Sequence, residues 1–139
     1  MPAIQKSLRI PEGTLAEIEK ITKETGKDFS TVTKDLLAEA IRMRRCPGIL
    51  FVEGVNGRRA RVAGTGIEVW EIIATFKSVA QEFERLRSAY HWLKEQQLRA
   101  ALAYYTSYRE EIDEQIRRNE SWTRDELSSR HPYLDGSAM

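Results

Sequence analysis

The chain has 139 residues, of which 41% are hydrophobic and 31% charged, and its formal net charge is +1. This composition is typical of a soluble globular protein with one ordinary domain or two very small ones. It excludes a membrane-spanning helix, because no apolar run approaches the roughly 20 residues that a bilayer requires. We find no signal-peptide pattern, and the lone Cys46 excludes an internal disulfide framework. We therefore expect a cytoplasmic protein with no membrane partner.

The charges are unevenly distributed along the chain. Residues 42–61 contain six arginines and one glutamate, whereas residues 109–139 contain five arginines and eight acidic residues. A basic middle and an acidic tail indicate two kinds of partner, although a solvated surface explains either one alone.

The first predicted element is a β-strand in the segment IQKSLRI, residues 4–10. Apolar or long side chains occupy the even positions, and Gln5, Ser7 and Arg9 occupy the odd ones. Such alternation indicates a half-buried strand. Because no partner strand lies nearby in the sequence, the nearest candidate is the same strand of a second copy. The resulting antiparallel ribbon would fit the DNA major groove.

Two helices are predicted to follow the strand. The first begins after Gly13 and ends at Gly26, and the second begins at Ser30, as its N-cap, and ends near Arg45. Their apolar positions are Leu15, Ile18 and Ile21, then Val32, Leu36, Leu37, Ala40 and Ile41. One strand and two helices bury too little apolar surface to be stable alone. The segment therefore predicts an intertwined dimer whose stability depends on chain concentration.

The order of these elements and the spacing within KSLRIPEGTLAEIEKITKETG and FSTVTKDLLAEAI resemble the ribbon-helix-helix (MetJ/Arc/CopG-like) DNA-binding family. The resemblance covers residues 1–45 and implies that Gln5, Ser7 and Arg9 read base edges. The chemistry agrees, since arginine pairs with guanine, glutamine with adenine, and serine with either. The alternative is that these side chains form the solvated face of a strand that serves dimerisation only.

The resemblance also implies a phosphate contact at the start of the second helix, where free backbone amides at Ser30 and Thr31 would hold the anion. The turn GKDF before this helix is longer than in many members and places Asp28 near the expected phosphate. Lys6 can lay its stem along the core and direct its amine to solvent or to a phosphate.

A second domain is predicted over residues 46–120, after a break at CPG. The runs on either side of Asn56-Gly57 indicate a β-hairpin, and a turn at Gly64-Thr65-Gly66 leads into three or four helices. The last helix follows a break near Ser107. The predicted inward positions are Val69, Ile72, Ile73, Phe76, Val79, Phe83, Leu86, Tyr90, Leu98, Ala101, Leu102, Tyr105, Ile112 and Ile116.

The stretches GRRARVAGTGIEVWEII and YHWLKEQQLRAALAYY, with the later EEID, resemble the small helical family labelled domain of unknown function 433. Members of that family are often described as antitoxin-like, with a winged or helix-turn-helix-like arrangement. The resemblance covers most of residues 49–116. The expected fold is therefore mainly α, with an intertwined ribbon-helix-helix dimer and a second small domain of a β-hairpin followed by a three- to four-helix bundle.

Arg58, Arg59 and Arg61 on the predicted hairpin admit two interpretations. They would contact DNA phosphates and add salt-dependent affinity, or they would pair with neighbouring glutamates and blunt an exposed sheet edge. The neighbouring glutamates are Glu53, Glu68 and Glu71. A set of aromatic residues at helical spacing is predicted to form core or dimer interface rather than a base-stacking platform. This set comprises Trp70, Phe76, Tyr90, Trp92, Tyr104 and Tyr105.

Residues 121–139 lose helical periodicity and are predicted to form a flexible C-terminal tail. Trp122 and Tyr133, among acidic neighbours, are candidate contacts to a toxin. Packing on the chain's own dimer and plain disorder are the other two interpretations.

The sequence carries no pattern of a catalyst. His91 and His131 lack the spacing of a metal pair, and no phosphate-binding loop or nucleophile elbow is present. We therefore expect no enzyme activity, no metal and no cofactor.

These observations predict a sequence-specific transcriptional regulator that binds double-stranded DNA as a homodimer or tetramer. Its expected role is the autoregulating antitoxin of a type II toxin–antitoxin pair, with a nuclease-type toxin as partner. The alternative is a protein-interaction adaptor whose N-terminal unit serves dimerisation only.

Overall fold

The structure is a computed structural model that describes residues 2–54 and 57–130, and residues 121–130 by their backbone alone. The described residues form six helices and one two-stranded antiparallel sheet, so the chain is mainly helical. The chain divides into unit 1, Met1–Arg42, and unit 2, Met43–Met139. The elements are α1 (Glu12–Thr25), α2 (Phe29–Arg45), β1 (Ile49–Gly54), β2 (Gly57–Val62), α3 (Val69–Ser78), α4 (Phe83–Ala89), α5 (Glu95–Ser107) and α6 (Arg109–Arg130).

Helix α1 begins directly after Pro11 and contains Gly13, so it starts earlier than predicted. Its predicted end at Gly26 is confirmed. Gly26 has a φ of 73°, and its N–H donates to the carbonyl of Thr22 at 2.9 Å. Glycine adopts this left-handed conformation without steric penalty, and the bond satisfies one of the carbonyls that a helix end leaves open.

Helix α2 begins one residue before Ser30, and the prediction that Ser30 caps it is wrong. The N–H of Thr31 donates to the Asp28 carboxylate at 2.8 Å, and the N–H of Val32 donates to the Asp28 carbonyl at 3.0 Å. Asp28 is as good a cap as serine and lies two residues earlier, so Ser30 falls inside the first turn.

Unit 1 buries little of its apolar surface within one chain. Residues 2–10 have no regular secondary structure, and α1 and α2 hardly pack against each other. The strand predicted at residues 4–10 is therefore absent from the single chain, because a ladder needs a partner strand that unit 1 does not contain. Among its described apolar residues, only Ile18 and Val32 are buried.

The β-hairpin predicted at the start of unit 2 is confirmed. Strands β1 and β2 pair antiparallel in a register from Ile49↔Val62 to Gly54↔Gly57. Asn56 of the predicted turn lies outside the described residues, while Gly57 has a φ of 106°, a value that suits glycine.

The helices of unit 2 form one core with the inner face of the hairpin. The predicted inward positions Ile72, Leu98 and Ile112 are fully buried, and Cys46 lies in the same core. Tyr104, one of the aromatic residues predicted as core or dimer interface, is fully buried, whereas the predicted inward positions Leu102 and Tyr105 are half-buried. The predicted break after α5 is confirmed at Tyr108, and α6 runs on to Arg130, beyond the expected boundary at residue 120.

A charged contact joins α3 to α6. Lys77 Nζ lies 2.7 Å from Asp113 Oδ1, and the Tyr105 hydroxyl donates to the same oxygen at 2.7 Å. The hydrogen bond from Lys77, followed by that from Tyr105, lowers the pKa of Asp113 from its ordinary 3.8, and the carboxylate in turn raises the pKa of Lys77. The contact therefore stabilises the docking of α6 while Asp113 is ionised.

We expect Gly26→Ala to destabilise the helical fold of α1 in the full chain by about 1 kcal/mol, because alanine is strained at a positive φ. The control is Gly13→Ala, which replaces a glycine inside α1 where a Cβ meets open space. It should raise helical stability by up to about 1 kcal/mol. Denaturant unfolding followed by circular dichroism measures both. Equal effects of the two substitutions would contradict the assigned end of α1.

We expect Asp113→Asn to remove part of the acid sensitivity of unit 2. The pKa of Asp113 is lower in the folded chain, so its contribution is present above pH 3.8 and is lost as the pH falls through the folded pKa. Since both partners are partly exposed, the effect is at most about 1 kcal/mol. Thermal unfolding measured between neutral and acidic pH should therefore converge for the two proteins at low pH. A constant difference at every pH would contradict this assignment.

Candidate nucleic-acid interface

The residues predicted to read bases lie on the irregular segment before α1. Gln5, Ser7 and Arg9 are exposed, and so is Lys6. Within the described residues, no hydrogen bond or ion pair engages these four side chains. Their donors and acceptors are therefore available to a ligand, but one chain does not fix their geometry.

The predicted phosphate site at the start of α2 already holds an anion of the chain itself. Ser30 and Thr31 are exposed, but the N–H of Thr31 donates to the Asp28 carboxylate. This hydrogen bond to the backbone, with a second to the Thr31 side chain, lowers the pKa of Asp28, so the carboxylate is negative at neutral pH. A phosphate at Thr31 must therefore compete with the Asp28 carboxylate for the same amide.

The three hairpin arginines do not form one patch. Arg59 Nη1 lies 3.9 Å from Glu68 Oε1, whereas Arg58 is exposed and donates from Nη2 to the Phe51 carbonyl at 3.1 Å. Arg61 is half-buried, and its Nε is buried without a hydrogen-bond partner. Arg59 therefore pairs with a glutamate, as the second interpretation predicted. Arg58 hydrogen-bonds to a backbone carbonyl at the edge of the sheet.

The other two glutamates considered for these arginines have different surroundings. Glu71 Oε2 accepts the N–H of Glu68 at 2.8 Å and so stabilises the start of α3. Glu53 is exposed and lies opposite Arg58 in the strand register.

The aromatic residues divide between the core and the surface. Tyr104 packs in the core against Phe51 and Tyr108, with ring centroids 6.2 and 4.8 Å apart. Trp92 is 61% exposed, and its centroid lies 5.5 Å from that of Tyr90 and 5.1 Å from that of His91. Tyr104 therefore has the predicted core role, whereas Trp92, in the turn after α4, is not in the core of the single chain, and a dimer-interface role for it stays a prediction.

The candidate toxin contacts are beyond the part of the chain whose side chains are described. Trp122 belongs to α6 by its backbone, and Tyr133 lies outside the described residues. In the described part of the chain, no helix is long and apolar enough to cross a membrane, and no three metal-ligating side chains lie together.

Sequence reasoning missed two features of this region. Asp28 was treated as a charge near a phosphate, although an aspartate directly before a helix is a usual capping signal. Phe29 was left out of the apolar face of α2, yet its side chain is large and exposed. Its spacing of seven residues from Leu36 could have revealed it.

We expect Asp28→Ala to lower the thermal stability of α1 and α2, because it removes the cap of α2. Ser30→Ala is the matched control and should leave stability nearly unchanged, since Ser30 lies inside the first turn. Circular dichroism on heating compares the two variants. A loss with Ser30→Ala that equals the loss with Asp28→Ala would restore Ser30 as the cap.

Neither the comparison with curated proteins nor the comparison with solved structures found a match. The comparison with protein families did find one, and it falls in unit 2, from β1 into α5. Residues 49–105 match the family described as Protein of unknown function (DUF433).

Proposed function

We propose that the protein is a homodimeric, sequence-specific DNA-binding regulator that dimerises through unit 1. One observation carries this proposal: the large apolar side chains of unit 1 are exposed in the single chain. Ile4 is 80% exposed, Leu8 74%, Leu37 57% and Ile41 53%. Burying one such side chain contributes about 1.5–3 kcal/mol, so an interface that covers several of them is strongly favoured.

The occupant that fits this surface is a second copy of the same unit. Ile4 and Leu8 lie on one side of an alternating segment that lacks a partner strand, and the matching segment of a second copy supplies it. The paired segments would form a ribbon whose inner face covers the apolar side chains. Gln5, Ser7 and Arg9 would then lie on the outer face, twice over.

The outer face of this ribbon has the chemistry of base recognition. Arginine donates two hydrogen bonds to guanine, glutamine pairs with adenine, and serine serves either base. Lys6 would contribute a phosphate contact, since its ammonium is exposed. The exposed Arg44, Arg45 and Arg58 would add salt-dependent affinity for the backbone.

We assign the regulator the role of an autoregulating antitoxin. The eight acidic residues among the last 31 favour a protein partner in addition to DNA. A basic, nuclease-type toxin suits an acidic segment of this kind. Trp122 and Tyr133 remain the candidate contacts.

One observation favours the alternative of a protein-interaction adaptor. The Asp28 carboxylate already accepts the Thr31 amide, at the place where a ribbon-helix-helix protein would hold a phosphate. If unit 1 served dimerisation only, the negative charge of Asp28 would not reduce any binding affinity, because no phosphate would have to approach the Thr31 amide.

We expect the purified protein to select a specific sequence from random double-stranded DNA. Arg9→Ala should relax selection at one position of each half-site, with a loss of about 1–3 kcal/mol against the preferred base. Lys6→Ala is the matched control: it should weaken binding to all sequences alike and reduce the salt dependence. Selection followed by titration of the enriched sequence measures both. A wild-type protein that enriches no sequence would exclude DNA reading and favour the adaptor.

A further inference from the structure

The geometry points to a second self-association surface, in unit 2: the free edge of β1 pairs antiparallel with β1 of a second copy of the chain. This surface is separate from the unit 1 surface of the proposed dimer. It rests on the proposed function only in part, because dimerisation through unit 1 would raise the effective concentration at which the two hairpins meet.

The hydrogen bonds at the end of the hairpin show which backbone groups turn away from it. The N–H of Ala63 donates to the Gly48 carbonyl at 2.9 Å, whereas the N–H of Val62 donates away from β1, to Ile67, at 3.0 Å. Because bonded and non-bonded pairs alternate in an antiparallel ladder, every second residue of β1 turns its N–H and C=O away from β2. These residues are Ile49, Phe51 and Glu53.

Most of this edge is open. Inside the chain, the N–H of Ile49 donates to the Cys46 carbonyl at 3.3 Å, and the Phe51 carbonyl accepts Arg58 Nη2 at 3.1 Å. Within the described residues, no hydrogen bond engages the N–H of Phe51 or the N–H and C=O of Glu53.

Natural edge strands are usually protected by charged side chains, proline or a bulge; β1 contains one charged residue, Glu53, and neither a proline nor a bulge. Arg58 is the side chain that covers part of the edge. When a second strand pairs with β1, the Arg58 guanidinium must release the Phe51 carbonyl. The carboxylate of Glu53, which lies opposite Arg58 in the hairpin register, can then accept a hydrogen bond from that guanidinium.

The side chains of β1 suit pairing with a copy of itself. With a two-fold axis at Phe51, the two Phe51 rings lie opposite each other, and Leu50 lies opposite Val52 of the second copy. Glu53, the one charged residue of β1, then lies opposite Ile49 of the second copy, so no like charges face each other. Aromatic and apolar cross-strand pairs stabilise a sheet, whereas facing like charges destabilise it.

The test uses the full chain and separates the two surfaces. Leu36→Lys places a charge on the apolar face of α2 and should abolish association through unit 1. Sedimentation velocity over a concentration series should still show self-association of this variant. Adding Glu53→Pro should abolish it, because proline lacks the N–H that turns outward, while the bonds of β1 to β2 are kept. The matched control, Glu53→Ala on the same background, keeps the N–H and should still associate.

The outcomes distinguish this inference from the proposed function. Equal sedimentation of Leu36→Lys with and without Glu53→Pro would overturn pairing through β1. Glu53→Pro on its own should remain dimeric, and a monomer there would overturn the unit 1 dimer while leaving β1 pairing in place. Far-ultraviolet circular dichroism, which reports the helices of both units, checks that each variant is folded.

Hydrogen exchange on the unsubstituted chain gives an independent measurement. The amides of Phe51 and Glu53 should exchange more slowly as the protein concentration rises, because they become bonded to a second copy. Exchange that is fast at every concentration would overturn the inference. So would protection that appears only when an extended segment of another protein is added.

Discussion

The behaviour of unit 1 depends on an imbalance between the apolar side chains it carries and those it can bury. Two helices that hardly touch, and a leading segment without a partner strand, leave only Ile18 and Val32 buried among the apolar residues described in this unit. Fixing each backbone residue costs about 1–2 kcal/mol of conformational entropy, so two buried side chains cannot hold this unit together. In the proposed dimer, association would supply the missing burial, and folding and binding would become one equilibrium.

Unit 2 has the opposite balance. Its core draws on the hairpin and on four helices, and Tyr104, Ile72 and Leu98 are fully buried. With such a core, the association proposed for this unit would come from groups that its own fold leaves open. The outer edge of β1 has such groups. Its outward N–H and C=O groups can hydrogen-bond to water in the single chain and to a second strand when one pairs with β1.

The sequence predicted those elements whose signals are local. The hairpin around Asn56-Gly57, the glycine cap at Gly26 and the break after α5 were found from turn and cap chemistry. The start of α2 was placed wrongly because Asp28 and Ser30 are both good caps, and the choice depends on which bonds the folded turn can close. The depth of burial on α5 has the same origin: Leu102, Tyr104 and Tyr105 share one helix, and only packing against other elements decides that Tyr104 is buried most deeply.

The candidate site was harder to predict than the fold, because in the proposed dimer its geometry would not belong to one chain. Gln5, Ser7 and Arg9 can be named from alternation, yet their spacing as a reading surface would exist only after two segments pair. If DNA binding requires the dimer, the occupied fraction of an operator rises with more than the first power of chain concentration. A partner that sequesters chains would then reduce operator occupancy by a larger factor than it reduces the concentration of free chains. The exposed apolar surface of unit 1 would in that way make DNA binding responsive to the amount of free protein, which suits a regulator of its own synthesis.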